Sequence, residues 1–355
     1  MRFLPMPHIY RLGIAVLFEE FGVGLLHLEW HELRCLVTGG AGFIGSHLVD
    51  ELLRIGARVR VVDDLSRGKK DNIAHCLDRI EFMRGDLAEQ AIMSEILRDI
   101  DVCFHLAAVV GGVEFMNSHP AEISKNVLID RNVIDGCRRM STERLLYTST
   151  ACTYPTMLQE EASSPALKEE DAFSHGVNPD SYYGWTKVMG EVVCRAYHDA
   201  YGMDISIVRP FNPYGPREYF DPDSSHVIPA LIRRAVLRER PFVVWGDGEQ
   251  SRAFQYVTDV ARAFALVAER SASIEPVNLG TSQAIKIRDL ARLVLDLAGY
   301  ETQIQFDTTK PRGVACRRAD TTRATNQLGW KPEVALEHGL RTTVEWFTRK
   351  YGQNP

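Results

Sequence analysis

Tyr183 and Lys187 form the pair of residues whose types and spacing most directly suggest acid–base chemistry. They are four residues apart at the start of a predicted helix, so their side chains share one helical face. A phenol with a pKa of about 10 is a poor base at neutral pH, but a nearby ammonium stabilises the phenolate. We therefore expect Tyr183 to accept a proton from a substrate hydroxyl, with Lys187 as its electrostatic partner. Because this spacing alone is common on helix surfaces, the expectation depends on the residues around it.

A glycine-rich segment, Thr-Gly-Gly-Ala-Gly-Phe-Ile-Gly at residues 38–45, directly follows a predicted strand and precedes a predicted helix. Gly39 permits a tight turn, Gly42 lets the backbone approach a pyrophosphate closely, and Gly45 allows the helix to pack on the strand. The N-terminus of that helix presents free N–H groups to phosphate oxygens. The segment therefore predicts a dinucleotide-binding site.

Asp63 lies at the end of the next predicted strand, where a carboxylate accepts hydrogen bonds from the hydroxyls of an adenosine ribose. A ribose 2′-phosphate is repelled there, so we expect NAD as the cofactor. Arg67 and the lysines at 69 and 70 attract such a phosphate, and NADP therefore stays the alternative. Asp86 follows the third predicted strand and is expected to contact the adenine, or else to cap a helix. The residues expected to bind the dinucleotide are Gly39, Gly42, Phe43, Ile44, Gly45, Asp63, Asp86, Leu87, Ala107, Tyr183 and Lys187.

Short β-branched segments alternate with amphipathic segments from residue 34 onward. Such alternation predicts right-handed crossovers and a parallel sheet covered on both faces, which is a doubly wound α/β Rossmann fold. The predicted strands are 35–38, 58–63, 80–83, 102–106 and 145–148, and the predicted helices or connections are 44–55, a turn-rich segment near Gly68, 87–99 and 121–140.

Five prolines between residues 210 and 229 indicate an irregular region in which this alternation ends. We place the start of a smaller C-terminal α/β domain for substrate binding there. The expected division is an N-terminal extension of unassigned role at 1–32, an NAD-binding Rossmann domain at 33–208 and a substrate-binding domain at 209–355, partly interleaved with the first. The elements predicted in the last domain are helices at 228–238, 258–270, 287–297 and 336–351 and strands at 242–245 and 304–306.

Charge and cysteine usage exclude several classes of partner. The 355 residues contain 41 Lys and Arg against 47 Asp and Glu, a formal net charge of −6, so we expect neither a nucleic acid nor a membrane as a partner. Glu19 and Glu20 interrupt the apolar stretch at 12–28, which is then too short for a membrane-spanning helix of about 20 apolar residues. The seven cysteines contain no Cys-x-x-Cys pair, which favours a reducing cytoplasm and indicates no metal site.

The order of the motifs resembles that of a known superfamily. The glycine segment, Asp63, a Thr-Ser-Thr strand end at 148–150 and the Tyr183 pair occur in the order found in the extended short-chain dehydrogenase/reductases, the nucleotide-sugar epimerases, dehydratases and reductases. The resemblance covers about residues 34–350. It implies that Thr150 hydrogen-bonds the reacting oxygen, and it implies a homodimer formed through the helices near 121–140 and 181–201. The residues it implies at the nucleotide sugar include Asn212 near the phosphates and Arg252 and Arg317 at the diphosphate.

Two further segments narrow the resemblance to the GDP-mannose 3,5-epimerase and GDP-L-fucose synthase families. Residues 150–155, Thr-Ala-Cys-Thr-Tyr-Pro, are similar to their Ser-x-Cys-x-Tyr-Pro element, in which the cysteine acts at a sugar carbon. Residues 223–230 resemble the synthase segment that supplies a histidine acid, here His226. Dehydratases usually have an Asp-Glu pair where this chain has Ala151 and Cys152, which argues against loss of water. The loop expected to line the sugar site contains Gly111 and Gly112.

Cys152 and His226 fit the chemistry of epimerisation. Oxidation at C4 makes the hydrogens at C3 and C5 acidic, and inversion then needs a base on one face and an acid on the other. A thiol is a usable base only if its pKa falls from about 8.5, which a neighbouring positive charge brings about. The alternative is that both residues are structural, Cys152 as a buried apolar side chain and His226 as a core or capping histidine.

These observations predict an NAD-dependent nucleotide-sugar epimerase acting on a GDP-mannose-type sugar, with inversion at C5 and/or C3. The lysine that serves as second acid in the 3,5-epimerases has no match in 214–226, where the synthase-like His226 stands instead. Three alternatives stay open: an NADPH-dependent GDP-4-keto-6-deoxysugar epimerase/reductase, a simple 4-epimerase, and a catalytically silent nucleotide-binding protein.

Overall fold

The computed structural model describes residues 29–222, 225–271, 273–310 and 313–352. Most of the predicted N-terminal extension lies outside these ranges, but Trp30, in a short 3₁₀ helix at Trp30–Glu32, is buried in the core of the main fold. The strands are β1 (Arg34–Thr38), β2 (Arg58–Asp63), β3 (Ile80–Arg84), β4 (Val102–His105), β5 (Arg144–Thr148), β6 (Asp204–Pro210), β7 (Pro213–Tyr214), β8 (Phe242–Trp245), β9 (Ser251–Ala253), β10 (Gln255–Tyr256), β11 (Val277–Leu279), β12 (Ala284–Lys286), β13 (Ile304–Asp307) and β14 (Cys316–Arg317).

The helices connect these strands. The helix at Tyr182–Tyr201 is capped at both ends. Ser181 accepts a hydrogen bond from the N–H of Gly184 at 3.2 Å at its start, and Gly202 ends it in the left-handed region. The helices are α1 (Phe43–Arg54), α2 (Met93–Ile96), α3 (Val113–Ser118), α4 (Pro120–Arg139), α5 (Asp171–Ser174), α6 (Tyr182–Tyr201), α7 (Val227–Val236), α8 (Val257–Arg270), α9 (Ile287–Leu297), α10 (Thr322–Leu328) and α11 (Leu336–Tyr351).

Within the described residues, a seven-stranded parallel sheet has the order β11-β6-β5-β4-β1-β2-β3. Alternate residues of β1 lie on opposite faces of the sheet. Cys35 and Val37 belong to the core under α1 and α8, and Leu36 belongs to the core under α4 and α6. β2 and β3 lie on one side of β1, and β4 lies on its other side. The direction in which successive strands are added therefore reverses between β1 and β4. Ligands of doubly wound sheets bind at that point, beyond the carboxyl ends of the strands. The predicted fold class is confirmed.

Two strands of this sheet were missed by the sequence patterns. β6 follows α6 directly, and β11 contributes three residues, too few to show a period. β11 and α8 both come after the proline-rich region, yet β11 pairs with β6 and α8 packs on α1. The predicted segment 87–99 contains only a 3₁₀ turn at Gln90–Ile92 followed by α2, and the turn near Gly68 leads into a 3₁₀ helix at Lys70–Arg79.

The later elements build a second, smaller layer beside the sheet. β8 pairs with β13, β9 pairs with β12 and β14, and helices α7, α9 and α11 pack on each other. Their shared core contains large side chains such as Tyr214, Phe242 and Phe347. This layer faces the carboxyl ends of the large sheet and forms the far wall of the cleft. None of the described helices combines the length and apolar character needed to cross a bilayer.

Candidate active site

One cavity of about 530 Å³ occupies the cleft between the sheet and the second layer. Its wall includes every residue that the sequence patterns and the resemblance predicted for the site, from the glycine segment to the arginines at positions 252 and 317. Their proximity in space is therefore a property of the fold, while the role of each stays a prediction. The predicted residues on this wall are Gly39, Gly42, Phe43, Ile44, Gly45, Asp63, Asp86, Leu87, Ala107, Gly111, Gly112, Thr150, Cys152, Tyr183, Lys187, Asn212, His226, Arg252 and Arg317.

The glycine segment leaves room for a pyrophosphate because side chains are absent where backbones meet. Gly39 has a φ of +70°, and a Cβ there would lie 3.0 Å from the Cα of Ala107. At Gly45 a Cβ would lie only 2.2 Å from the carbonyl oxygen of Gly39, so α1 can begin this close to β1 only with glycine. Gly42 precedes the first turn of α1, whose free N–H groups face the cavity end. These features fit a dinucleotide.

Asp63 lies at the carboxyl end of β2 with its carboxylate held by backbone N–H groups. Oδ2 accepts a hydrogen bond from Ala41 at 3.0 Å and Oδ1 accepts one from Leu65 at 2.9 Å. Burial raises the pKa of Asp63, and those two hydrogen bonds oppose the rise. Arg67, a cation that attracts a 2′-phosphate, stacks on the ring of Tyr219 at 4.3 Å. The guanidinium of Arg67 also lies 5.4 Å from the ring centre of Phe115, on the wall of the same cavity as Asp63. The charge of Asp63 is the feature that favours NAD.

Asp63→Asn is expected to weaken NAD binding by roughly 10-fold and to bring the affinities for NAD and NADP together. The amide oxygen can accept from only one of the two backbone N–H groups, and the variant loses the charge that attracts ribose hydroxyls and repels a 2′-phosphate. Titration calorimetry with both coenzymes measures the ratio. Asp64→Asn removes an equal charge one residue later and is the control. An unchanged ratio of affinities in Asp63→Asn is the contrary result.

Thr150 and Tyr183 meet above the carboxyl end of β5. The Thr150 hydroxyl accepts a hydrogen bond from the N–H of Cys152 at 3.2 Å and also hydrogen-bonds the Tyr183 phenol. Burial raises the pKa of Tyr183, with further contributions from Cys152 and Asp130, and the Thr150 hydrogen bond opposes the rise. In the protein alone Tyr183 is therefore a neutral phenol, and any lowering of its pKa must come with the bound ligands.

Lys187 has a buried counter-ion that the sequence patterns did not predict. Its Nζ lies 3.6 Å from Oδ1 of Asp130 and 4.7 Å from the ring centre of Tyr147. Asp130 also accepts hydrogen bonds from the Tyr147 hydroxyl at 2.6 Å and from Nε2 of His105 at 3.0 Å. Burial alone would raise the pKa of Asp130, but Lys187 and His105 outweigh it and hold that pKa below its usual range. Asp130 of α4 therefore holds the Lys187 ammonium in position.

Cys152 lies beside a positive charge, as a reactive thiol requires. Nη1 of Arg317 is 3.4 Å from its sulfur, and the same guanidinium donates to Asp180 at 2.5 Å and to Gln159 at 2.7 Å. Burial nevertheless raises the pKa of Cys152 to about 11, with Asp180 adding to burial and Arg317 opposing it. The sequence reasoning required a lowered pKa for a base. In the protein alone burial outweighs Arg317, and the thiol is protonated at neutral pH.

Arginines line the part of the cavity that is expected to bind the anionic diphosphate. Arg252 is partly buried, and its loss of hydration together with the nearby Arg317 lowers its pKa to about 10. Arg234 of α7 lines the same cavity, and burial lowers its pKa as well. Arg234 was not predicted, although the Arg-Arg pair at the end of an amphipathic helix was a signal. Arg317 is buried and Arg234 and Arg252 are partly buried, and all three line one cavity. Together they form a site that a diphosphate would neutralise.

The remaining predicted residues shape the sugar end of the cavity. Asn212, with a φ of +41°, donates from its amide to the carbonyl of Ala253 at 2.8 Å, which joins β7 to β9. Gly111 accommodates the ring of Phe115, because a Cβ there would lie 2.7 Å from it. His226 precedes the first turn of α7 and is half-exposed to the cavity. Its Nδ1 lies 2.9 Å from Oε1 of Glu218, a residue that no sequence pattern singled out.

Comparisons with known proteins agree with this site. The model of the "NAD dependent epimerase/dehydratase family" matches residues 35–280. A GDP-L-fucose synthase of Arabidopsis thaliana is 35% identical over 337 residues, covering 93% of this chain and 98% of its own. A UDP-glucose 4-epimerase of Mycolicibacterium smegmatis is 33% identical over 323 residues, covering 90% and 99%.

Among solved structures, a Thermus thermophilus UDP-glucose 4-epimerase in complex with NAD superposes with a TM-score of 0.78 at 29% identity, covering 89% of this chain and 99% of that one. The glycine segment, Asp63 and the Tyr183–Lys187 pair all lie within or beside the cavity that such a coenzyme needs. The chain therefore belongs to the NAD-dependent epimerase/dehydratase family, within the extended short-chain dehydrogenase/reductase superfamily.

Proposed function

We propose that this protein is an NAD-dependent nucleotide-sugar epimerase that acts on a GDP-mannose-type sugar and inverts C5 and/or C3. The observation that carries the proposal is the position of Cys152, whose backbone N–H bonds Thr150 and whose sulfur lies next to Arg317 on the wall of the cavity. The Asp-Glu pair usual in dehydratases is replaced here by Ala151 and Cys152. A thiol in this place supports proton exchange at a sugar carbon rather than loss of water.

The chain's own residues have separate tasks in this reaction. Bound NAD supplies the site that accepts and returns hydride at C4. Tyr183 takes the proton of the C4 hydroxyl, and Thr150 hydrogen-bonds the same oxygen. Cys152 and His226 remove and return a proton at the neighbouring carbon, because that hydrogen is acidic only while C4 is a ketone. The arginines hold the diphosphate, so the sugar ring stays in place while its stereochemistry changes.

A second candidate, an NADPH-dependent epimerase/reductase of GDP-4-keto-6-deoxysugars, is favoured by one observation. The relative that is 35% identical is a GDP-L-fucose synthase, and His226 stands in the segment that resembles such synthases. The carboxylate of Asp63 supports NAD and hence the first candidate.

The proposal is tested by supplying GDP-, UDP-, CDP- and dTDP-sugars in deuterium oxide with no added coenzyme. NMR then locates deuterium in the sugar and identifies the product. Deuterium at C5 or C3 of GDP-mannose, with an epimer as the product, supports the proposal. Turnover without deuterium at either carbon indicates a simple 4-epimerase, and turnover that consumes added NADPH indicates the reductase. No turnover of any sugar indicates a binding protein.

We also propose a homodimer in the cytoplasm, formed through α4 and α6. These two helices pack side by side and leave an apolar surface uncovered. On α6 the exposed residues recur every three or four positions, which places them on one face. The exposed apolar residues of this surface are Val127, Leu128, Tyr182, Trp185, Met189 and Val192.

Trp185→Glu is expected to convert the dimer to a monomer, because a charge in the middle of an apolar interface loses its hydration on association. Sedimentation equilibrium should give a mass of one 40.0 kDa chain for the variant and twice that for the unaltered protein. Leu237→Glu places the same charge on an exposed leucine at the end of α7 and serves as the control. Dimers of equal affinity in both variants contradict this interface.

A further inference from the structure

The loop between β7 and α7 is fixed to the helix that follows the glycine segment. Nε2 of His47 lies 3.0 Å from the carbonyl oxygen of Pro216. Arg217 donates to the carbonyl of Ser46 at 3.2 Å and to the carboxylate of Asp50 at 2.7 Å. The loop is therefore anchored immediately before Glu218, and the position of the Glu218 side chain is set by α1.

Glu218 is a buried carboxylate whose main partner is a cavity histidine. Its side chain is 3% exposed, and Oε1 lies 2.9 Å from Nδ1 of His226. Burial raises the pKa of Glu218, while His226 and Arg67 oppose the rise. Oε2 is equally buried and has no hydrogen-bond partner among the described residues. Burial of a carboxylate away from water costs free energy unless a hydrogen bond or ion pair offsets it. The contact with His226 is the one that does so here.

The contact leaves His226 with only one nitrogen for a ligand. The His226 side chain is 54% exposed and lines the cavity. With Nδ1–H donated to Glu218, Nε2 is the nitrogen that can exchange a proton with a bound sugar. A carboxylate in this position selects the tautomer, holds the ring against rotation and stabilises the imidazolium that forms when Nε2 gains a proton.

We propose that Glu218 is a positioning residue that acts through His226, holding Nδ1–H so that Nε2 exchanges a proton with the sugar carbon. The proposal rests on the proposed function only for the role of His226. When the proton on Nε2 moves to the carbon, a C–H bond forms, the N–H bond breaks, and the ring becomes neutral while Nδ1–H stays on Glu218. The proton on the opposite face goes to Cys152 only when that residue is a thiolate, so the thiol first loses its own proton to solvent and regains one from the carbon.

The tautomer of His226 tests the proposal without any substrate. Two-dimensional ¹H–¹⁵N NMR of protein labelled with ¹⁵N-histidine distinguishes Nδ1–H from Nε2–H, and the His226→Gln variant identifies the signal. The unaltered protein is expected to show Nδ1–H, and Glu218→Ala is expected to show mainly Nε2–H. Glu218→Gln, of equal size and with an amide oxygen as acceptor, is expected to keep Nδ1–H. An identical tautomer in the unaltered protein and Glu218→Ala overturns the proposal.

Kinetics then tests whether the contact serves the reaction. Glu218→Ala is expected to lower kcat and the uptake of solvent deuterium by GDP-mannose on the order of 10- to 100-fold, with KM nearly unchanged and Glu218→Gln losing less. In a His226→Gln background Glu218→Ala is expected to cause no further loss. Glu275→Gln, which breaks an ion pair with Arg195 outside the cavity wall, is the control for stability.

The outcomes separate the two proposals. If His226→Gln itself exchanges deuterium at the normal rate, the role of His226 in the proposed function is wrong, and the tautomer spectrum alone decides the positioning contact. If His226→Gln is slow but Glu218→Ala is as fast as the unaltered protein, the positioning role is wrong. Losses that multiply in the double variant also overturn it, because they mean that Glu218 acts independently of His226.

Discussion

Tyr183→Phe is expected to lower kcat on the order of 10³-fold while coenzyme binding is retained. The substitution removes only the hydroxyl that hydrogen-bonds Thr150, and the ring, 9% exposed, keeps its packing at the start of α6. Under the proposed function that oxygen accepts the proton of the sugar hydroxyl at C4, so its loss is expected to slow oxidation there. Steady-state turnover of GDP-mannose and titration with NAD are the two measurements.

Tyr182→Phe is the matched control for this variant. Tyr182 is the preceding residue, is 60% exposed and does not line the cavity, so the loss of its hydroxyl should leave kcat within about 2-fold. If Tyr183→Phe is as active as Tyr182→Phe, the phenol is not the acid–base group, and a catalytically silent nucleotide-binding protein becomes the better interpretation.

Cys152→Ser is expected to abolish most uptake of solvent deuterium at C3 and C5, a loss of roughly 10²- to 10⁴-fold. Serine keeps the size and the hydrogen bond to Thr150, but its hydroxyl is a far weaker base than a thiolate. Oxidation at C4 should continue in this variant, since Tyr183 and Thr150 are intact. NMR of GDP-mannose in deuterium oxide separates the two steps. Exchange at the normal rate in Cys152→Ser means that the thiol is structural.

The raised pKa of Cys152 predicts how the alkylation of this thiol depends on pH. Because burial raises the pKa of Cys152 to about 11, alkylation of the free protein by iodoacetamide should be slow at pH 7 and should accelerate as the pH approaches that value. Cys137→Ala, which removes a buried cysteine of α4 that does not line the cavity, should leave the rate unchanged. Fast alkylation of Cys152 at pH 7 would show that Arg317 outweighs burial.

Local spacing was enough to predict the parts of the site that a short segment defines. The turn at Gly39, the close approach at Gly45 and the shared face of Tyr183 and Lys187 each depend on residues within seven positions of one another. The alternation of strands and helices predicted the doubly wound sheet for the same reason. These features need no knowledge of which distant segments meet.

The residues that the sequence reasoning missed are brought to the site by the packing of the fold and not by a short sequence motif. Asp130 reaches Lys187 from α4, and Glu218 reaches His226 from a loop. Arg234 lines the cavity because α7 belongs to the second layer, which forms the cavity wall. None of these contacts leaves a periodic pattern in the chain. The protonated state of Cys152 was missed for a related reason. The sequence reasoning required a positive charge near the thiol, but only the packed structure shows that Arg317 is that charge and that burial outweighs it.

The hydrogen at C4 provides the most direct test of the central claim, that the ring is oxidised at C4 and then reduced again within one active site. GDP-mannose carrying deuterium at C4 is incubated in ordinary water with the purified protein and no added coenzyme, and the product is analysed by NMR and mass spectrometry. Retention of the label at C4 of an epimerised sugar is the expected result. Loss of the label to water, or turnover only when added NADPH is consumed, would contradict it.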